Sequence, residues 1–129
     1  MRLMDWFLEL VTWWNGQTIG TRLFTARHGV LVGEDEAGNK FYRTEDGSRR
    51  WVIYNGEAEA SRVSPDWHGW LHHTYDTPPT DAPLPVQVWE KPHVPNLTGT
   101  DQAYRPPGSV LTPATRAPAR GDYDAWQPE

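Results

Sequence analysis

Cysteine is absent from the 129 residues, so no disulfide framework, thiolate zinc site, iron–sulfur ligation or cysteine nucleophile can be built. Basic residues are few and scattered. Twelve Lys and Arg stand against 17 Asp and Glu, a formal net charge of −5, and with no Lys/Arg block the chain lacks a phosphate-tracking surface and is not read as a nucleic-acid binder. No apolar run approaches the ~20 residues that span a bilayer, so no segment is read as crossing a membrane. The length allows one compact domain and no more. What the chain has in excess is tryptophan, with 8, and proline, with 12.

The two excesses fall in different places. Eleven of the 12 prolines follow Tyr75, whereas 12 of the 16 aromatic residues lie at or before it. The chain therefore reads as an N-terminal amphipathic helix (residues 1–16), a small α+β docking domain (17–75) and a Pro-rich partner-binding tail (76–129). A head of that size is marginal, since so small a core rarely supplies more than ~3–5 kcal/mol net. In the tail, Pro78, Pro79, Pro83, Pro85, Pro92, Pro95, Pro106, Pro107, Pro113, Pro118 and Pro128 exclude helix interiors and central strands. Its expected form is extended, with Val86, Val88, Trp89, Val94, Leu97, Tyr104, Val110, Leu111, Tyr123 and Trp126 recurring along it as anchors that order on a partner's surface.

Within the head, Leu3 to Asn15 has helical spacing. At 100° per residue Arg2, Asp5, Glu9 and Thr12 occupy one arc of roughly 120–200°, and apolar side chains fill the rest. Trp6, Trp13 and Trp14 on so short a helix suit an apolar protein groove or a membrane interface. Acidic residues on the polar face favour protein docking, with peripheral membrane contact as a lesser element. Asp5 and Glu9 also argue against a signal peptide.

Ile19–Thr25 is read as a first strand. Val30–Glu34 and Asn39–Arg43 flank a turn at Gly38, and Asp46-Gly47 precedes Arg50–Tyr54, which together make an antiparallel meander of three or four strands. Ser64, Pro65 and Asp66 are N-cap, first helical residue and dipole-complementing carboxylate of a short helix that runs toward Tyr75. Trp67, Trp70 and Leu71 share one face of it, and that face is expected to close over the meander.

Little here resembles an active site. His68 and His72 have the i, i+4 spacing of a zinc enzyme, but Gly69 stands where the H-E-x-x-H pattern needs its general base. A third ligand would have to come from His73, Asp76, His28 or His93. A metal-dependent enzyme is thus the weaker alternative, and the expectation is no catalytic, metal-binding or cofactor-binding residues and no cofactor. Glu34-Asp35-Glu36 reads as a solvated hairpin turn. Phosphate-binding loops and a nucleophile elbow are absent.

An ordered series of motifs carries a family likeness. Leu31-Val32-Gly33-Glu34-Asp35 and Gly38-Asn39-Lys40-Phe41-Tyr42 come first, then Arg50-Trp51-Val52-Ile53-Tyr54. Val63-x-Pro65-Asp66-Trp67-His68-x-Trp70-Leu71-His72, Asp76-x-Pro78-Pro79-Thr80 and Asn96-Leu97-Thr98-Gly99-Thr100 follow, with an echo at Ala125-Trp126-Gln127-Pro128. In that order they resemble the NADH:ubiquinone oxidoreductase alpha-subcomplex subunit twelve family, accessory subunits of respiratory complex I. The resemblance implies a non-catalytic subunit without cofactor, wrapped around iron–sulfur and quinone-site subunits of the peripheral arm near the membrane arm. It implies a place on the cytoplasmic face of a bacterial inner membrane, or the matrix face in mitochondria. The compact form and the lack of a targeting segment suggest a bacterial member. A paralogous assembly factor shares the early motifs and is the alternative. The chain is not expected to form a homo-oligomer. Its expected partner-binding residues are Trp6, Trp13, Trp14, Trp67, Trp70, Trp89, Tyr104 and Trp126.

Overall fold

A three-stranded antiparallel sheet organises the first part of the chain. The computed structural model describes residues 3–12, 16–112, 115, 116, 118, 121, 123 and 126–128. Residues Met1–Asn96 form one unit and Leu97–Glu129 another. The first unit carries helices α1 (Leu3–Val11), α2 (Ile19–His28) and α3 (Pro65–Leu71), strands β1 (Val30–Glu34), β2 (Lys40–Arg43) and β3 (Arg50–Ile53), and a 3-10 turn at Ala60–Arg62. The strand order is β1-β2-β3, a small α+β arrangement with three strands.

The strand expected at Ile19–Thr25 is a helix. Thr18 takes an extended backbone and its hydroxyl accepts from the Thr21 N–H at 3.2 Å, and the Gly29 N–H closes the other end on the Thr25 carbonyl. Capping by Thr18 and the exit at Gly29 decide the matter, because Ile19, Leu23 and Phe24 fit helical spacing as well as they fit a short strand. The N-terminal helix is shorter than expected, and Trp13, Trp14 and Asn15 lie outside the described residues.

Each hairpin is built around a carboxylate. Asp35 accepts from the backbone N–H of Ala37 and Asn39 and from the Asn39 amide, so the turn once read as merely solvated is internally bonded. Gly38 completes it with φ of +83°, a region that an L side chain enters only at a cost. In the second hairpin, Asp46 accepts from the Thr44 and Ser48 hydroxyls and the Ser48 N–H.

The register pairs Phe41 with Val52 and Tyr42 with Trp51, so alternate residues serve opposite faces. On one face Phe41 stacks on Trp67 at 4.0 Å, and Trp70 meets Trp67 edge-on at 5.6 Å. These rings and Val63 form the core, with Phe41 0% and Trp70 1% exposed. Trp67 comes so close to β1 that a Cβ on Gly33 would stand 2.9 Å from its ring. On the other face the Trp51 indole donates to the Thr25 hydroxyl at 2.9 Å and packs beside Phe24, which holds α2 against β3.

Helix α3 starts as expected, although Ser64 donates its hydroxyl to Asp66 rather than accepting from the helix. It stops at Leu71, before Tyr75. The Thr74 N–H returns to the Gly69 carbonyl and the His73 N–H to that of Trp70, a Schellman ending with His73 at φ 57° in the left-handed position that glycine usually occupies.

Beyond Tyr75 the backbone does not leave the head at once. Pro79 is buried, the His93 ring bonds the Ser61 carbonyl at 2.7 Å, and the Asn96 N–H reaches the Ser61 hydroxyl at 3.0 Å. In the second unit the described residues contain no helix or strand. Tight turns close there at 97–100, 100–103, 106–109 and 109–112.

Candidate partner-binding surface

Two buried polar side chains hold the head together. Asn39 is fully buried; its amide N–H groups donate to Asp35 and to the Arg62 carbonyl, and its oxygen accepts from the Asn55 N–H. One side chain thereby ties the first hairpin to the end of β3 and to the 3-10 turn. Arg50 does the same at the far end. Its guanidinium donates to the carbonyls of Trp70 at 2.7 Å and Tyr75 at 3.0 Å, lies over the Trp70 ring, and pairs with Asp76 at 2.9 Å. Asn39 lines neither of the surface depressions described below, whereas Arg50 borders both.

Three hydrogen bonds, the largest effect from the Thr44 hydroxyl and the next from that of Ser48, pull the Asp46 carboxyl down to about 2. A carboxylate that weakly basic makes a poor proton acceptor at neutral pH. Burial raises the Tyr54 phenol against the opposing charge of Arg62. Burial and the nearby Asp66 charge raise that of Tyr75, whose hydroxyl donates to the Asp66 carbonyl. His68 and His72 lie with rings 4.2 Å apart on the exposed side of α3. Among the described residues no group of three or more His, Asp or Glu comes together in a way that could hold a metal ion.

Two shallow depressions lie beside the sheet. One, of about 590 Å³, runs between α2 and β3 and is floored by Phe24 and Trp51. The other, of about 870 Å³, runs from β1 to Asp76 and Asp81. Both are open to solvent.

The described residues also expose large apolar side chains. On α1, Leu3, Met4, Trp6, Phe7, Leu10 and Val11 are all at least half exposed. Leu23 on α2 and Leu31 on the β1 edge are exposed too, and no feature of the sequence alone had marked them. In the later part of the chain Val86, Val88, Trp89, Tyr104, Tyr123 and Trp126 are exposed. Of the residues expected to bind partners, Trp6, Trp89, Tyr104 and Trp126 are therefore on the surface. Trp67 and Trp70 are not. They are the core of the head, because their face of α3 packs on Phe41, and this corrects the expectation for those two. Trp13 and Trp14 lie outside the described residues.

The sequence profile of the NADH ubiquinone oxidoreductase subunit NDUFA12 family matches residues 29–128. The chain belongs to this family. Among its relatives is NADH dehydrogenase [ubiquinone] 1 alpha subcomplex subunit 12 of Dictyostelium discoideum, 35% identical over 103 residues that cover 74% of each chain. The subunit of the same name from Bos taurus is 43% identical over 94 residues, 62% of this chain and 64% of its own. Subunit N7BM from Yarrowia lipolytica is 36% identical over 111 residues, 79% of this chain and 74% of its own. The chain thus spans less than two thirds of the bovine subunit's length. The family match takes in the sheet, α3 and most of the Pro-rich segment, and begins after α1 and α2. No helix among the described residues is long and apolar enough to cross a membrane.

Proposed function

We propose that the chain is a non-catalytic accessory subunit of respiratory complex I, a clamp that stabilises the peripheral arm near its junction with the membrane arm. One observation carries the reading. A member of this family exposes large apolar side chains from Leu3 to Trp126, far more than the scattered few of an independent soluble protein. Surfaces of that kind are stabilised by a partner that covers them. The head then docks on the arm, and the segment after Tyr75 threads across neighbouring subunits, including iron–sulfur and quinone-site subunits. Trp6, Trp89, Tyr104 and Trp126 serve as anchors, since buried aromatic residues dominate interface energetics. Trp13 and Trp14, which lie outside the described residues, are further proposed anchors. The subunit sits peripherally, on the cytoplasmic side of a bacterial inner membrane or on the matrix side in a mitochondrion.

Native-gel immunodetection tests this. Signal in the fully assembled, NADH-oxidising complex is the expected result. Signal confined to smaller subcomplexes would overturn permanent membership and make the chain an assembly factor of the same fold. Deleting residues 97–129 should weaken retention while the first unit keeps its fold.

A further inference from the structure

Between the buried Pro79 and the two bonds on Ser61, residues 80–92 form a loop closed at both ends. The His93 ring nitrogen Nε2 reaches the Ser61 carbonyl, the Asn96 N–H reaches the Ser61 hydroxyl, and that hydroxyl donates to Glu59. Within the loop the Glu90 N–H donates to the Gln87 carbonyl at 3.0 Å, and the Gln87 N–H donates back to the Glu90 carboxylate at 3.1 Å. The two bonds bracket a turn whose tip is Val88 and Trp89, 106% and 80% exposed. Pro85 and Pro92 stiffen the flanks by fixing φ. The segment that the sequence suggested was a loose strap is, at this point, a preformed knuckle with an indole at its tip.

We propose that the Val88-Trp89 knuckle is a prebuilt dock that inserts into an apolar pocket of another subunit of the same enzyme complex. That pocket would be one indole deep and would offer an acceptor for the indole N–H. The proposal rests on the subunit reading above. Rigid presentation removes most of the ordering cost that an unstructured anchor carries. The occupant is protein rather than lipid, because the exposed Leu84, Val86, Val88 and Trp89 lie on an irregular segment beside the acidic Glu90 and not on a basic amphipathic helix, unlike an interfacial element. It is not a second copy, because the net charge of −5 opposes self-association. The Ser61 clasp is the positioning device.

The test uses complex purified from cells that carry full-length variants, with the fraction of chain retained followed over time in a salt wash. Trp89→Ala should dissociate about 30-fold faster, and His93→Ala about 5-fold faster. His93→Gln, whose amide can still donate to the Ser61 carbonyl, should return most of the retention. The double variant should be no worse than Trp89→Ala alone, since the clasp acts only through the knuckle. Wild-type retention of Trp89→Ala would overturn the proposal, as would a His93→Ala effect that adds in full to it. A Trp89-dependent dimer of the isolated chain would assign the tip to a second copy. Trp89-dependent sedimentation with vesicles of phosphatidylethanolamine and cardiolipin would assign it to lipid. Either result refutes the protein pocket. Absence of the wild-type chain from the complex would instead overturn the subunit reading itself.

Discussion

Removing the guanidinium of Arg50 should unfold the head. The side chain is 6% exposed and links β3 to the last turn of α3 and to Tyr75 through two charge-assisted hydrogen bonds to backbone carbonyls. Such bonds contribute about 1.5–3 kcal/mol each, and a carbonyl left buried without a partner costs a comparable amount. The contact with the Trp70 ring at 4.9 Å adds about 1 kcal/mol. The ion pair adds little, because Asp76 is 92% exposed and water screens it to below about 1 kcal/mol. The buried Nε has no hydrogen-bond partner among the described residues, which sets part of the gain back. Arg50→Met, which keeps much of the stem and loses the charge, should therefore cost about 4 kcal/mol, as much as the whole net stability of so small a core. Urea unfolding of the full chain, followed by tryptophan fluorescence, should show Arg50→Met with no folded baseline. Arg50→Lys should be intermediate, since an ammonium cannot present the planar fork. Asp76→Asn should shift the midpoint by less than about 1 kcal/mol equivalent. A cost for Arg50→Met under about 1 kcal/mol, or equal losses from Arg50→Met and Asp76→Asn, would refute the assignment of the stability to the carbonyl bonds.

Three other outcomes follow from the packing. Gly33→Ala should cost about 1–3 kcal/mol by forcing the Trp67 ring and Thr80 off β1, with a changed near-ultraviolet circular dichroism signal from the displaced indole. His73→Gly should raise the melting temperature by the equivalent of about 0.5–1 kcal/mol, since it relieves the left-handed residue at the end of α3, whereas His73→Val should lower it. The Asp46 carboxyl is held below its unfolded value, so its contribution is present above about pH 4 and lost as pH falls through about 2. Amide protection factors at Gly47 and Ser48 should fall over that window, and Asp46→Asn should remove the pH dependence of those factors without changing protection in β2.

How much of this was legible in advance depends on how far apart the partners are. The hairpin turns and the start of α3 rest on bonds within five residues, so Gly38, Asp46-Gly47 and Pro65-Asp66 announce them in the sequence. Helix α2 was missed although its signals, Thr18 and Gly29, are local. Its short apolar set suits both periods, and what confirms the helix is Trp51 reaching Thr25 across 26 positions. The roles of the tryptophans were legible only in outline. Spacing placed Trp67 and Trp70 on one face, which was expected to close over the meander although both were also counted as partner-binding, and Phe41 stacks beneath that face.

Cysteine-free composition was enough to exclude thiolate chemistry, weak basic charge argued against nucleic-acid binding, and the segregation of tryptophan from proline suggested a small head followed by a Pro-rich segment. The ordered motifs were enough to indicate the family. Composition and short-range pattern carry such information because each exclusion concerns what side chains are available at all. Only the tertiary structure decided which residues act as ties. Arg50 finds carbonyls 20 and 25 positions away, Asn39 finds one 23 away, and His93 returns 32 positions to Ser61. In a linear sequence an arginine or asparagine with such a partner is indistinguishable from one on the surface. The distinction arises when folding removes water from the side chain, and a polar group without water must find its bond elsewhere in the chain.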